Sequence, residues 1–300
     1  MNSLAMYRTK IEKSFPNLKI RSMRLNRQGW DHVVAVVNNR LIFRFATEAR
    51  DISLLQREIK LVQSIQPHIS IPLPNYLYIP DNFSFGGYAM LPGRQMYSYL
   101  LRGISLAHKT KIAKQLARFL SELHKIPLKK AQKYVVHPSL RSWWHPELAR
   151  QRLIKMRRTI FKKLNRREID WIEHVHKWYF ALHHPKIQVL LHGDLAPDHI
   201  LFNPEESKKI TGIIDFGDSE IGDPAQDFNC LWSYGKQFVE IVYANYSGPK
   251  DKDFLARSYF PHLMRPAQHM LEVIEQITHP ISFEKSRAQL RRNMQWRIPF

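Results

Sequence analysis

Residues 20–46 carry two short apolar runs, VVAVV and LIFRF, joined by Asn38 and Asn39, the pattern of two strands around a tight turn. The next segment, DISLLQREIKLVQSI, repeats Ile52, Leu55, Ile59 and Val62 at helical spacing behind Asp51, a residue type that caps helix N-termini. A helix packed on the hairpin is expected there. IPLPNYLYIP and FGGYAMLPGRQM follow, extended and punctuated by Pro and Gly, and they place a lobe boundary near Pro92 and Gly93.

Beyond the boundary the period changes. LAHKTKIAKQLARFLSELHKI puts Ile112, Leu116, Phe119, Leu120 and Leu123 on one stripe, and helical patterning continues to about residue 183. Within it, RQRLIKMRRTIFKKLNRR, residues 150–167, has nine basic residues and no acid, with Leu153, Met156, Ile160 and Leu164 on one face. A single basic amphipathic helix is expected. IQVLLHGD, HILFN and KITGIIDFGD interrupt as short strands around polar turns, and helical periodicity returns from Asp227 onward. The pattern predicts an α+β chain of two lobes, small and β-rich over 1–92, larger and mostly helical over 93–300.

Composition narrows the class. In 300 residues, 44% are hydrophobic, enough to bury real cores, and no run approaches the ~20 apolar residues that span a bilayer. The N-terminal MNSLAMYRTKIEKSF lacks the apolar stretch of a secretory signal. The only cysteine, Cys230, permits no internal disulfide and no zinc cluster, which fits the cytoplasm, and DFNCLW reads as a buried site for it. Lys and Arg exceed Asp and Glu to give a net charge of +20, a surface that attracts polyanions. Trp143 and Trp144 are expected to pack a helix onto a lobe.

Against that basic background, nine acids crowd residues 194–227: Asp194, Asp198, Glu205, Glu206, Asp215, Asp218, Glu220, Asp223 and Asp227. Such a concentration invites a cation. His192, Asp194 and His199 form H-x-D-x4-H, and Asp215 opens D-F-G after two strands. One carboxylate to take a proton and two ligands to hold magnesium on phosphate oxygens is the set that phosphoryl transfer needs.

LHGDLAPDHILF through IIDFGDSEIGDPAQDF resembles the aminoglycoside phosphotransferases, which share the protein-kinase-like fold. It is similar in particular to the branch modifying the 2''-hydroxyl of gentamicin-type antibiotics, where a histidine also replaces the usual asparagine after the catalytic aspartate. NNRLIFRF, LLQREIKL and SYGKQFVEIVYANY extend a weaker likeness from about Asn26 to Leu290. The resemblance implies a bilobal kinase-like fold, with Asp194 as catalytic base and His199 and Asp215 as magnesium ligands. His192 would hold the loop, and Asp218 and Glu220 would lie beside the substrate. It also implies ATP or GTP as donor, its base held at the connector Tyr88, Ala89, Met90 and Leu91, with Ile214 completing the nucleotide site. A monomer is expected, and the GDPAQD that follows DFG departs from the activation segment of a protein kinase.

Three departures matter. The family's phosphate-binding lysine is replaced by Arg44, with Glu58 as its partner, and the phosphate loop RLNRQGWDHVV offers a single glycine, Gly29. The stretch NCLWSYGKQF, where the 2''-branch carries acids that grip its antibiotic, contains none. The expected acceptor is therefore an aminoglycoside or another small hydroxylated molecule. The alternative expectation, raised by Arg44 and the positive surface, is a kinase-fold module without activity that docks on nucleic acid or anionic membrane.

Overall fold

The computed structural model describes residues 3–26, 32–135, 145–205, 209–277 and 281–295. Gly29, Trp143, Trp144 and Glu206 lie outside the described residues. The chain opens with α1 (Leu4–Ser14), which the sequence pattern did not announce; the Ser3 hydroxyl accepts the Met6 N–H at its start. Only Tyr7 and Ile11 are buried, a stripe two residues long in a polar segment.

Strands β1 (Met23–Asn26), β2 (His32–Val37) and β3 (Leu41–Ala46) are followed by α2 (Ala49–Ile65), then β4 (Tyr76–Tyr78) and β5 (Phe85–Ala89). The five strands make one antiparallel sheet in the order β1-β2-β3-β5-β4. The β2–β3 hairpin turns where expected, with Asn38 and Asn39 both at positive φ, 53° and 54°. Along β3 the period of two sends Phe43 and Phe45 into a small core with Tyr7, Ile11 and Phe85, and turns Arg44 toward α2. Gly87 of β5 pairs with Phe43, and a Cβ there would stand 2.4 Å from its ring.

Asp51 does not cap α2. Glu48 is the N-cap, and Asp51 sits three residues on, where its carboxylate accepts the Glu48 N–H at 3.0 Å and the Thr47 hydroxyl at 2.7 Å. An acid at that position reaches back to an N–H the helix leaves open, the return half of a capping box.

The helical part contains β6 (Arg94–Gln95), α3 (Leu106–His124), α4 (Leu128–Ala131), α5 (Pro146–Arg158) and α6 (Arg166–Ala181). The helix expected over 150–167 is thus two helices: α5 stops at Arg158, Ile160–Lys163 form a 3-10 turn, and α6 starts afresh. Asn165 and Glu168 cause the restart. The Asn165 Oδ1 accepts the Glu168 N–H at 2.9 Å and the Glu168 carboxylate accepts the Asn165 N–H at 2.8 Å. The basic residues of the run stay largely exposed, with Arg157 paired to Glu173 at 2.7 Å, Lys155 to Glu275 at 2.5 Å, and Arg150 stacked on Phe180.

Strands β7 (Val189–Leu191), β8 (Ile200–Asn203), β9 (Lys209–Ile213) and β10 (Glu220–Gly222) build two small antiparallel sheets, β10-β7 and β6-β8-β9. Helices α7 (Lys236–Asn245), α8 (Phe254–Ile274) and α9 (Phe283–Asn293) complete the chain. One core runs from Leu55, Ile59 and Val62 of α2 through Leu116 and Leu120 of α3 to Phe260 and Met264 of α8. The chemistry-bearing strands lie between those layers. No helix of the described residues is long and apolar enough to cross a membrane.

Candidate active site

The site is built on the turn that leaves β7. His192 is fully buried and serves as a scaffold: its Nε2 bonds the Ile214 carbonyl at 3.1 Å, and its Nδ1 accepts the Asp194 N–H at 3.3 Å. Burial depresses the His192 pKa, so the ring stays neutral and the two bonds fix its tautomer. Gly193 holds φ at +85°, and a Cβ would lie 2.0 Å from the Asp218 carbonyl oxygen, so no other residue fits. The consequence is a sharp turn that leaves the Asp194 side chain 38% exposed, open to a hydroxyl.

His199 and Asp215 converge beside it. The His199 Nδ1–H donates to the Asp194 carbonyl at 2.8 Å and its Nε2 faces the Asp215 Oδ2 at 3.6 Å; burial would lower the His199 pKa, but Asp215, Asp194 and Asp198 raise it above its ordinary value. Asp215 adopts φ 67°, a left-handed conformation that Asp tolerates, and Phe216 behind it is buried with its ring 4.6 Å from that of His192. Burial would raise the Asp215 pKa, but Arg44 and His199 hold it well below the usual carboxylate range. A deprotonated carboxylate next to an imidazole that can exchange its Nε2 proton for a metal suits a divalent cation. Among the described residues no cluster of three or more such ligands occurs, and two protein ligands are what magnesium takes when phosphate and water supply the rest.

Arg44 is buried between Glu58, which bonds its Nη1, and the Asp215 Oδ1, 3.0 Å from its Nη2. Burial opposes its charge, and the two carboxylates more than offset that, so the Arg44 pKa is raised. It is therefore no ordinary surface arginine. Tyr76 also donates its hydroxyl to Glu58 at 3.1 Å. The result is an alternating string of charge, Glu58, Arg44, Asp215, across the gap between sheet and catalytic turn.

In the connector the side chain of Tyr88 and the N–H of Met90 are engaged within the protein. Tyr88 is buried with its ring 5.0 Å from that of Tyr76, and the Met90 N–H is already given to the Arg40 carbonyl at 2.8 Å, which leaves Ala89 and Leu91 as the backbone neighbours free of that pairing. Pro92 is tied to β9, its carbonyl accepting the Thr211 hydroxyl at 2.5 Å. Ile214 bridges the two loops, its N–H donating to the His199 carbonyl at 3.0 Å. Beyond DFG, Asp218 is exposed, whereas Glu220, expected beside the substrate, is buried in β10 opposite Leu191. A strand position facing inward withdraws that carboxylate.

Several contributors were not foreseen. Asp227 accepts the backbone N–H groups of His192 and Gly193 at 2.9 and 3.0 Å and meets His124 Nε2 at 3.1 Å; the other ring nitrogen of His124 bonds the Tyr246 hydroxyl at 2.7 Å. The GDPxxD spacing could have flagged Asp227, but His124 and Tyr246 come from distant helix positions with no local signal. On the other side of Asp194, Cys230 Sγ lies 3.9 Å from Oδ1 and donates to the Asn229 side chain. Burial pushes its thiol pKa up to about 11, so it is no nucleophile. Arg265 of α8 reaches the same pair, 3.1 Å from Asn229 Oδ1 and 3.4 Å from Cys230 Sγ.

An antiparallel sheet over a mostly helical part, with an H-x-D turn and a D-F-G aspartate facing a strand cation across the gap, defines a kinase-like phosphotransferase fold. Residues 22–254 match the family described as "Phosphotransferase enzyme family", and the chain belongs to it. The structure is similar to the GDP complex of wild-type aminoglycoside 2'-phosphotransferase-IIIa, with a TM-score of 0.84, 24% identity, and 98% and 99% of the two chains covered. It is also similar to the streptomycin-ATP complex of APH(2")-IIa, with a TM-score of 0.71, 18% identity, and 99% and 98% covered. A third likeness is to the macrolide 2'-phosphotransferase MphH from Brachybacterium faecium, at 0.70, 17%, 95% and 97%. Among curated proteins, the uncharacterised YcbJ of Bacillus subtilis (strain 168) is 41% identical over 44 residues, 15% of this chain, which spans 14% of that relative's length.

Proposed function

We propose that the chain is a small-molecule kinase, moving the γ-phosphoryl group of ATP or GTP to a hydroxyl of an aminoglycoside or another hydroxylated acceptor. The observation that carries this is the convergence of Asp194, His199, Asp215 and Arg44 on one gap, with the Asp194 backbone and the His199, Asp215 and Arg44 side chains held by hydrogen bonds or close charged contacts. Family membership and the nucleotide complexes of the similar structures support it.

Asp194 would accept the proton of the acceptor hydroxyl as its oxygen bonds the γ-phosphorus and the bond to the leaving diphosphate breaks. Arg44, kept charged by Glu58 and Asp215, would contact the α and β phosphates in place of the usual lysine. His199 Nε2 and Asp215 would hold the magnesium, which supplies neutralisation of phosphate charge. The base would rest against the connector at Ala89 and Leu91, between a sheet lobe ending near Pro92 and the helical lobe. Asp218 is the exposed carboxylate that would border the acceptor. Positioning and electrostatics carry the rate in such a site.

The test is transfer of labelled γ-phosphate from Mg·ATP and Mg·GTP to kanamycin, gentamicin, macrolides, sugars and hydroxy acids. Transfer that disappears in Asp194→Asn supports the reading; absence of Mg-nucleotide binding overturns it.

A further inference from the structure

We infer that the acceptor is a hydroxylated acid, whose carboxylate or phosphate is received by Arg265 while its hydroxyl meets Asp194. This deepens the proposed phosphoryl transfer and rests on it. The two oxygens of Asp194 face different neighbourhoods. Oδ2 lies 3.6 Å from His199, on the side assigned to magnesium and nucleotide, whereas Oδ1 lies 3.9 Å from Cys230 Sγ. On the Oδ1 side the next groups are Cys230 and Asn229, both buried, and then the partly exposed guanidinium of Arg265.

Arg265 stands apart from the other buried or partly buried arginines of the site region. Arg44 has Glu58 and Asp215, and Arg257 has Asp223 at 2.6 Å and Asp251 at 2.7 Å. Arg265 is only partly exposed, and its direct contacts are a neutral amide oxygen and a neutral thiol, both through Nη2; the charges of Asp194 and Glu272 act on it from beyond hydrogen-bond distance, and no ion pair joins it to a carboxylate of the described residues. A guanidinium has five N–H donors, so most of its capacity is unspent. Taking such a charge partly out of water is costly unless an anion completes it, and its planar fork matches a carboxylate or phosphate.

The surroundings point the same way. Residues 229–238 contain no acid, and Glu220 is buried in β10, so neither presents an exposed carboxylate to an acceptor. Asp194 and Asp215 are committed to proton and metal.

The experiment compares acceptors that differ in charge alone. With Mg·ATP and Mg·GTP, kcat/KM is measured for gluconate against glucose, glycerate against glycerol, and glycerol 3-phosphate against glycerol, with kanamycin as a polycation. The expected result is a preference of tenfold or more for at least one anionic member, read in KM. That preference collapses toward unity in Arg265→Gln and is partly restored in Arg265→Lys. The carboxylate and phosphate arms separate the two anion types. Equal loss for both members of a pair in Arg265→Gln would make Arg265 a positioning residue and overturn the inference. So would failure of every anionic acceptor, whether or not kanamycin is phosphorylated. Mg-nucleotide binding, titrated in parallel, tells the failures apart: if it is retained, only the acceptor class is wrong, and if it is absent, the kinase reading falls as well.

Discussion

Asp227 holds the catalytic turn by its backbone: its two carboxylate oxygens accept the N–H groups of His192 and Gly193, at 2.9 and 3.0 Å. Burial would raise the Asp227 pKa, and the hydrogen bonds from His124 and the His192 N–H lower it, so the acceptor is a carboxylate in the folded chain. Removing it leaves two N–H groups and the Nε2 of the buried His124 without a partner. Asp227→Ala is expected to cost about 3 kcal/mol of stability, read by urea denaturation. Asp227→Asn, which keeps the volume, should lose less stability but still depress kcat.

Asp194→Asn keeps the shape of the turn and removes the proton acceptor. Its turnover should fall by about a thousandfold or more, since a general base contributes about 10²–10⁴ and the hydroxyl loses its hydrogen-bond acceptor as well. Mg-nucleotide affinity, measured by titration calorimetry, should stay within about threefold because Asp194 is assigned no nucleotide contact.

Arg44 is paired on both sides, so its loss unbalances two carboxylates. Arg44→Ala should lower kcat/KM for the nucleotide about a hundredfold and leave Glu58 protonated or strained. Arg44→Lys retains the charge but not the fork that spans Glu58 and Asp215, so an intermediate value is expected.

Gly193→Ala tests whether the turn tolerates a side chain. At φ +85° with a carbonyl oxygen 2.0 Å from the added carbon, the Asp218 loop must shift. A fall in kcat of about ten- to a hundredfold with a native circular dichroism spectrum is expected, because misplacement by about an ångström is enough to cost such a factor.

Acid should destabilise the chain in two stages. Burial holds His176 and His262 down to about 4. The unfolded chain, with ordinary histidines near 6.5, binds protons that the folded chain refuses, so stability falls as pH drops from about 6.5 to 4. Burial would raise the Glu168 carboxyl, but Arg287, the Asn165 N–H and Arg291 bring it down to about 2. Its contribution is complete above about 4.5 and is lost as pH falls toward 2. Thermal melts at constant ionic strength across pH 7 to 3 check both stages; Glu168→Gln should flatten the lower one.

The local features that the sequence determined are those whose cause lies within a few residues. Asn38 and Asn39 can occupy positive φ, so the hairpin could be read directly. The apolar stripes of α2 and α3 repeat at helical spacing, and H-x-D-x4-H and D-F-G carry their chemistry in their spacing. Even here local competition decided boundaries: Glu48 took the cap from Asp51, and Asn165 with Glu168 cut one expected helix into two. What only the tertiary structure decided are contacts between residues far apart in the chain. Arg44 and Asp215, His124 and Asp227, and Arg265 and Cys230 meet because packed layers bring separate elements together. Whether Glu220 faces a substrate or the interior depended on which side of β10 the core lies, and no pattern three residues long encodes that.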